Sequence, residues 1–553
     1  MAFSRRAFFK GAIGSAGAAA LPVVTGCASS YSPFLHGVAS GDPLADRVII
    51  WTRITPLNDD GRVKQGEDRP EVIGYQWLIA TDPALNDVVY TGSGETGLDK
   101  DYTVKVDVLA LKPGTTYYYR FESLNWASDT GRTKTLPVGG VSHVRLAMTS
   151  CTNYTYGYFN VYAAIANRQD LDAVLHLGDY IYEYGGSYSS DKIDRSHSPD
   201  REIISLSDYR LRHAQYKTDL DLQRVHQQFP FITIWDDHET SNDSWAQGAQ
   251  NHDENTEGEW SARRSAGIQA YFEWMPIRER GHDSYGDNLI YRDFRFGDLL
   301  DLVMLDTRLA GRTKQPEIGD LGGILNADQH LLGEEQEAWL FNALDASVEN
   351  NTQWRMLGQQ VMMAQFSAGA VGFNMDQWDG YPLARQRLHN HLIDNEIGNV
   401  VVLTGDIHSS WASDITPTPF VASTYDKDSG EGAIAVEFVT PAVSSPGIEN
   451  YQLAWAASQS VQAGSPHIKY VEYYHRGYVL LDVTPERVQG EWYHMRTITR
   501  RSDGQFFARG YKTINGQAGL VRVDKPSNEK SKERTAAYAP NLSSFERMRL
   551  KLK

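Results

Sequence analysis

Five apolar segments of strand length in this 553-residue chain each run directly into residues that bind cations or carry protons. Segment 144–149 leads into Ser150 and Cys151. Segment 173–177 leads into Gly178, Asp179 and, three residues on, Tyr182. Segment 231–235 leads into Asp236, Asp237, His238 and Glu239. Segments 299–305 and 400–404 lead into Asp306, Thr307 and Arg308, and into Gly405, Asp406 and His408. Continuously apolar runs that alternate with amphipathic helical stretches specify the strands of an α/β sheet covered on its faces. In such a sheet the carboxyl ends of the strands open onto one crevice, and ligands bind there. A single Asp after a strand is ordinarily a turn or a helix cap. Cys, Asp, Tyr, Asp, His, Asp and His after five strands predict one shared site.

The pattern divides the chain. Residues 1–27 are a leader. Residues 33–138 hold strand candidates at 47–53, 72–79, 102–108 and 116–121 with hairpin-like spacing and no long helical period, which predicts a β-sandwich of immunoglobulin or fibronectin type. After Pro137 the text changes to apolar runs between helices, an α/β domain over 140–500. Its strands are expected at 144–149, 173–177, 231–235, 299–305, 355–363 and 400–404. Helices are expected at 157–167, 206–229, 262–274 and 334–346, and further strands at 433–439, 478–483 and 490–496. Residues 501–553 form a C-terminal extension without an assigned element; its polar tail, from about Lys525, is expected to be disordered or packed along an edge.

Asp179 and Tyr182, three apart after a strand, can reach one cation. A phenol with an ordinary pKa near 10 ionises as a ligand only for a strong Lewis acid such as Fe³⁺. Asp236, Asp237 and Glu239 crowd three carboxylates around His238, which costs repulsion without a cation or several donors. Taken singly, Tyr182 reads as core packing and His238 as a hydrogen-bonded core histidine. The net charge of −17 repels nucleic acid and excludes a module that binds by neutralising phosphates. Two cysteines, Cys27 and Cys151, cannot build a disulfide framework.

The leader carries Ser4-Arg5-Arg6-Ala7-Phe8-Phe9-Lys10, then an uncharged stretch from Gly11 to Gly26. That stretch is shorter than the roughly 20 residues a membrane span needs. It predicts twin-arginine export, with the Tat translocase as a transient partner, to the periplasm or cell surface. Val24-Thr25-Gly26-Cys27 resembles a lipobox, with Cys27 acylated and holding the protein on a membrane; cleavage nearby without a lipid is the alternative.

Taken together, Gly178-Asp179-x-x-Tyr182, Asp237-His238-Glu239 and Gly405-Asp406-x-His408 resemble the calcineurin-like metallophosphoesterases. With Gly37–Pro43, Ser150-Cys151, Phe272–Pro276 and Leu305–Arg308, the spelling is similar to the PhoD-type alkaline phosphatases and phosphodiesterases, relatives of the purple acid phosphatases. The resemblance runs from about Phe34 to about residue 500. It implies an αββα sandwich after the β-sandwich, and one Fe³⁺ with one or two Ca²⁺. Cys151, Asp179, Tyr182 and His408 match iron ligands, with Asp179 bridging. Asp237 and Asp406 match calcium ligands in places where transition-metal relatives use Asn and His, a change that favours a hard cation. Asn242 and Asp243 are implied on the calcium side or just behind it. His238 is implied as general acid or phosphate donor. Arg308 is implied as a phosphate clamp or a structural ion pair, and Gln360 as part of the rim. The implied reaction is direct attack of an activated hydroxide or oxide on a phosphoric ester, without a phosphoenzyme. Two alternatives stand beside it: a phospholipase D acting on phosphatidyl lipids, and a surface lipoprotein that binds without catalysis.

Overall fold

The computed structural model describes residues 31–540, apart from 59, 187, 285, 369, 370, 373 and 532–534. The leader and Cys27 lie outside the described residues. The protein is a mixed α/β molecule built on two large sheets. The first has ten strands, in spatial order 517–523, 505–514, 487–495, 477–483, 144–149, 173–177, 230–234, 38–41, 48–53 and 103–108. Within it, 144–149, 173–177, 230–234 and 38–41 run parallel. The second has seven strands, in order 292–296, 300–304, 354–358, 400–404, 435–439, 410–415 and 468–472. Its central four, 300–304, 354–358, 400–404 and 435–439, are parallel.

The two sheets share one core. Successive side chains of a strand point to opposite faces. Leu300, Leu302, Met304, Val401 and Leu403 accordingly pack with Leu146, Leu175 and Leu480 of the first sheet. Val303, Leu305, Val400 and Val402 face the other way, onto Leu340, Leu344, Leu388 and Leu392 of helices Gly333–Glu349 and Pro382–Asp394. Helices Asn160–Ala166, Leu220–Gln228 and Trp260–Trp274 join the larger core through Val161, Leu222 and Ile268.

Strands 144–149, 173–177 and 400–404 have the bounds the sequence predicts. Three features differ. The helix expected over 206–229 is two helices, Leu206–Tyr216 and Leu220–Gln228. Asp219 divides them, its side chain accepting from the N–H groups of Asp221 (2.9 Å) and Leu222 (3.2 Å) as an N-cap. The strand expected over 355–363 ends at Gly358. Beyond it Gln360 turns inward, accepting from Thr307 N at 2.9 Å and donating to Leu305 O at 2.9 Å, so it braces a turn inside the protein instead of lining a rim. The C-terminal extension adds strands 505–514 and 517–523 to the sheet edge. Its polar continuation packs back on the body, where Lys530 and Lys134 share Asp172 and Tyr118 donates to Ala537 O at 2.7 Å.

The N-terminal strands lie in two layers. Strands 38–41, 48–53 and 103–108 continue the ten-stranded sheet, and 72–80, 88–97, 116–123, 126–127 and 131–134 form a separate five-stranded sheet. Val48, Ile50, Val104 and Val108 pack against Ile73, Ile79, Tyr119 and Phe121 between them. Among the described residues no helix is long and apolar enough to cross a membrane.

Candidate metal centre

The carboxyl ends of the parallel strands in the two sheets meet. Gly405, which follows strand 400–404 of the second sheet, marks how close they come, since a Cβ there would lie 2.8 Å from the Ser150 Cβ at the end of strand 144–149 of the first. Cys151, Asp179, Asp406 and His408 all hold left-handed backbone, with φ of 60°, 57°, 60° and 55°. Non-glycine residues seldom adopt that conformation, and such strain gathers where function requires it. It turns four chemically capable side chains off their strand axes toward one volume.

Ligand atoms of Cys151, Asp179 and His408 lie within 4.8 Å of one another, as do those of Asp179, Asp237 and His238, and those of Asp236, Asp237 and Asp406. Asp179 belongs to two of these groups. The Tyr182 hydroxyl donates to Asp179 Oδ2 at 2.8 Å and lies 3.0 Å from His408 Nε2. The site therefore assembles seven of the residues predicted from sequence: Cys151, Asp179, Tyr182, Asp237, His238, Asp406 and His408. Asn242 stands to one side, accepting from the Tyr184 hydroxyl at 3.0 Å and donating to Gln250 at 2.6 Å. Asp243 is nearer, its N–H donating to Asp237 Oδ2 at 2.6 Å.

Arg308 is fully buried. Its guanidinium is 2.5 Å from Asp236, 2.6 Å from Asp376, 3.2 Å from Asp406 and 3.8 Å from Asp237. Four carboxylates thus surround it, the setting of a buried ion-pair network. Glu239, one of the three acids around His238, turns to the backbone, accepting from Asp179 N at 3.1 Å, Asp236 N at 2.8 Å and Tyr180 N. It ties two strand ends together.

The charge state follows from burial. Burial, then Asp179, pushes the Cys151 thiol well up, and burial likewise pushes up the Tyr182 phenol. Burial also raises the Asp179 and Asp236 carboxyls well above their ordinary range and brings Asp406 to about 6. Asp237 is held low despite burial, by Arg308, His238 and the Asp243 N–H. Burial works against charge on His238, but Glu183, Asp237 and Asp179 outweigh it and hold the imidazole well above its ordinary value. A thiol, a phenol and several carboxyls that burial keeps protonated become anions only beside a strong positive charge.

Two buried oxygens test whether a cation fits. Asp179 Oδ1 and Asp236 Oδ2 have no hydrogen-bond partner, a costly state that a bound ion would relieve. The thiol, phenol and imidazole set suits a transition metal, and the all-carboxylate set a hard cation.

Four participants carry no strand-end signal in the sequence. Glu183 accepts from His238 Nδ1 at 2.7 Å and from Asn242 N at 2.9 Å. Ser445 donates to the Tyr182 hydroxyl at 2.7 Å. Asp376 bridges Arg308 and Arg312. Arg476 donates to Ser445 O. Only Glu183 had a readable cue, a charged residue one place after an expected ligand.

Comparison with known proteins agrees with this geometry. A family model described as PhoD-like phosphatase matches residues 146–492, and that of its N-terminal domain matches 20–137. Alkaline phosphatase D of Bacillus subtilis (strain 168) is 36% identical over 507 residues, spanning 90% of this chain and 83% of that protein. A solved structure titled "Structure of PhoD" superposes with a TM-score of 0.79 at 32% identity, over 95% of this chain and 98% of that one. Fold and site together define a phosphoric-ester hydrolase. The chain belongs to the PhoD-like phosphatase family.

Proposed function

We propose that the protein is an exported, metal-dependent alkaline phosphatase and phosphodiesterase. Cys151, Asp179, Tyr182 and His408 would hold a ferric ion, and Asp179, Asp237 and Asp406, joined by Asp236, one or two calcium ions. The observation that carries this is the convergence of those side chains on one buried volume, two of their oxygens lacking any partner. The two-sheet body with helices outside is read as a metallophosphoesterase sandwich, and the two N-terminal layers as its immunoglobulin-like companion. Export rests on Arg5, Arg6 and the uncharged run after them, and lipid attachment on Cys27.

Bound cations would supply positive charge to the phosphate and acidity to a water. The chain's own groups do the rest. Ser445 and the Pro446 backbone fix Tyr182 and His408 in place. Glu183 holds His238 Nδ1, so Nε2 is the atom that gives a proton to the leaving alcohol. Arg308 balances the carboxylates from behind, and Glu239 fixes the backbone of both acid-bearing turns.

The test is hydrolysis of p-nitrophenyl phosphate and bis-(p-nitrophenyl) phosphate side by side, with added calcium and with EGTA. Calcium-dependent cleavage is expected, and the ratio of the two rates gives the ester preference. Absence of cleavage with the metals loaded would overturn the proposal. A visible absorption band is also expected from the purified holoenzyme, because Tyr182 and Cys151 would donate charge to ferric iron. Tyr182→Phe should shift or bleach it. A colourless, fully active enzyme would remove iron from the assignment.

A further inference from the structure

A phosphate ester brings one or two negative charges into the site. The cation best matched to its oxygens is a guanidinium, which offers paired donors in a plane. Arg308 has the right chemistry but is enclosed by four carboxylates. Arg476 is the contrasting case. It lies between strands 468–472 and 477–483 and is 6% exposed. Nε donates to Ser445 O and Nη1 donates to Tyr474 O at 2.8 Å. Among the described residues no carboxylate pairs with it, and Nη2 has no hydrogen-bond partner.

The two carboxylates whose charge reaches it, Glu472 and Glu449, are engaged elsewhere. Glu449 accepts from the Tyr156 hydroxyl and from Lys192, both at 2.7 Å. Glu472 accepts from the Tyr474 N–H at 3.2 Å and the His475 N–H at 3.0 Å, folding the loop that carries Arg476. A buried cation held only by carbonyl oxygens is costly unless an anion joins it.

Its location is set by three residues. Ser445 donates to the Tyr182 hydroxyl at 2.7 Å, the Pro446 backbone hydrogen-bonds His408, and Gly447 lies flat against the guanidinium. A Cβ on Gly447 would sit 2.6 Å from Arg476 Nη2, so only glycine leaves the guanidinium its place. The loop that seats the Tyr182 and His408 ligands therefore also seats Arg476.

We infer that Arg476 receives a phosphate oxygen of the substrate through Nη2, on the Tyr182 and His408 side of the site; this rests on the phosphoric-ester reading above. A monoester carries one more negative charge than a diester, so Arg476 favours monoesters and the inorganic phosphate they release.

The test uses the metal-loaded enzyme and its Arg476→Gln, Arg476→Lys and Gly447→Ala variants. With Arg476→Gln, kcat/KM should fall about 10²-fold for p-nitrophenyl phosphate and less than about 10-fold for the bis ester. Phosphate affinity, measured by calorimetry, should fall in step with the monoester effect, with iron content unchanged. Arg476→Lys should restore part of the loss, and Gly447→Ala should reproduce it more weakly by displacing the guanidinium. Equal losses on both esters, unchanged phosphate affinity, or loss of iron together with activity would overturn the inference and make Arg476 a brace for the loop. Calorimetry needs no turnover. If the wild type cleaves neither ester, the functional reading fails, and phosphate binding still decides the role of Arg476.

Discussion

Asp179→Asn is expected to lower kcat/KM for p-nitrophenyl phosphate by at least about 10³-fold and to leave the protein short of iron, while it stays folded. Asp179 is the residue common to the Cys151 and His408 group and to the Asp237 and His238 group. Its Oδ1 is buried without a partner and its Oδ2 accepts from Tyr182. Asparagine keeps the shape and tolerates the left-handed backbone that φ of 57° imposes. It loses the negative charge that, in the proposed function, would let Asp179 serve both cations. The fold should survive because the Asp179 N–H still donates to Glu239. Kinetics, iron content and thermal midpoint should be measured on one preparation. Near-normal activity with normal iron would remove Asp179 from the centre of the site. A collapse of the midpoint would mean that its charge supports the fold instead.

What the sequence could and could not reveal follows from how each residue is fixed. Cys151, Asp179, Asp406 and His408 are legible because an apolar strand delivers each to the same edge, and strand ends are visible as a change from apolar to polar. The left-handed backbone that aims them is invisible, since no glycine marks those positions. Ser445, Pro446 and Gly447 are illegible for another reason. They lie several residues beyond strand 435–439, and their value arises only where the second sheet's loops meet Tyr182 of the first. Arg308 shows the same limit from the opposite side. Its place after a strand is readable, but its partners Asp236, Asp376 and Asp406 come from three other segments of the chain. The break at Asp219 was locally readable, since an Asp followed by an apolar periodic run is an N-cap signal. The continuous helical period across 206–229 hid it.

Arg308→Met is expected to destabilise the protein by about 3–5 kcal/mol near pH 8, the range found when one partner of a buried ion pair is removed. Methionine fills much of the volume but leaves Asp236, Asp237, Asp376 and Asp406 without their shared cation. The direction with pH separates this cause from lost packing. Burial already raises Asp406 to about 6 with Arg308 present, and it pushes Asp236 well above the ordinary carboxylate range. Removing the guanidinium moves both further up. A carboxyl whose folded pKa lies above its unfolded value binds a proton more readily in the folded state. Its contribution to stability is complete below the unfolded value, near 4, and is lost as pH rises through the folded one. Chelator-treated Arg308→Met should therefore recover much of its deficit, relative to wild type treated the same way, between pH 8 and pH 5. Denaturant unfolding at those two pH values measures it. A deficit that stays constant with pH would point to packing alone. A deficit that grows toward pH 5 would mean that the carboxylates around Arg308 are ionised by something other than its charge.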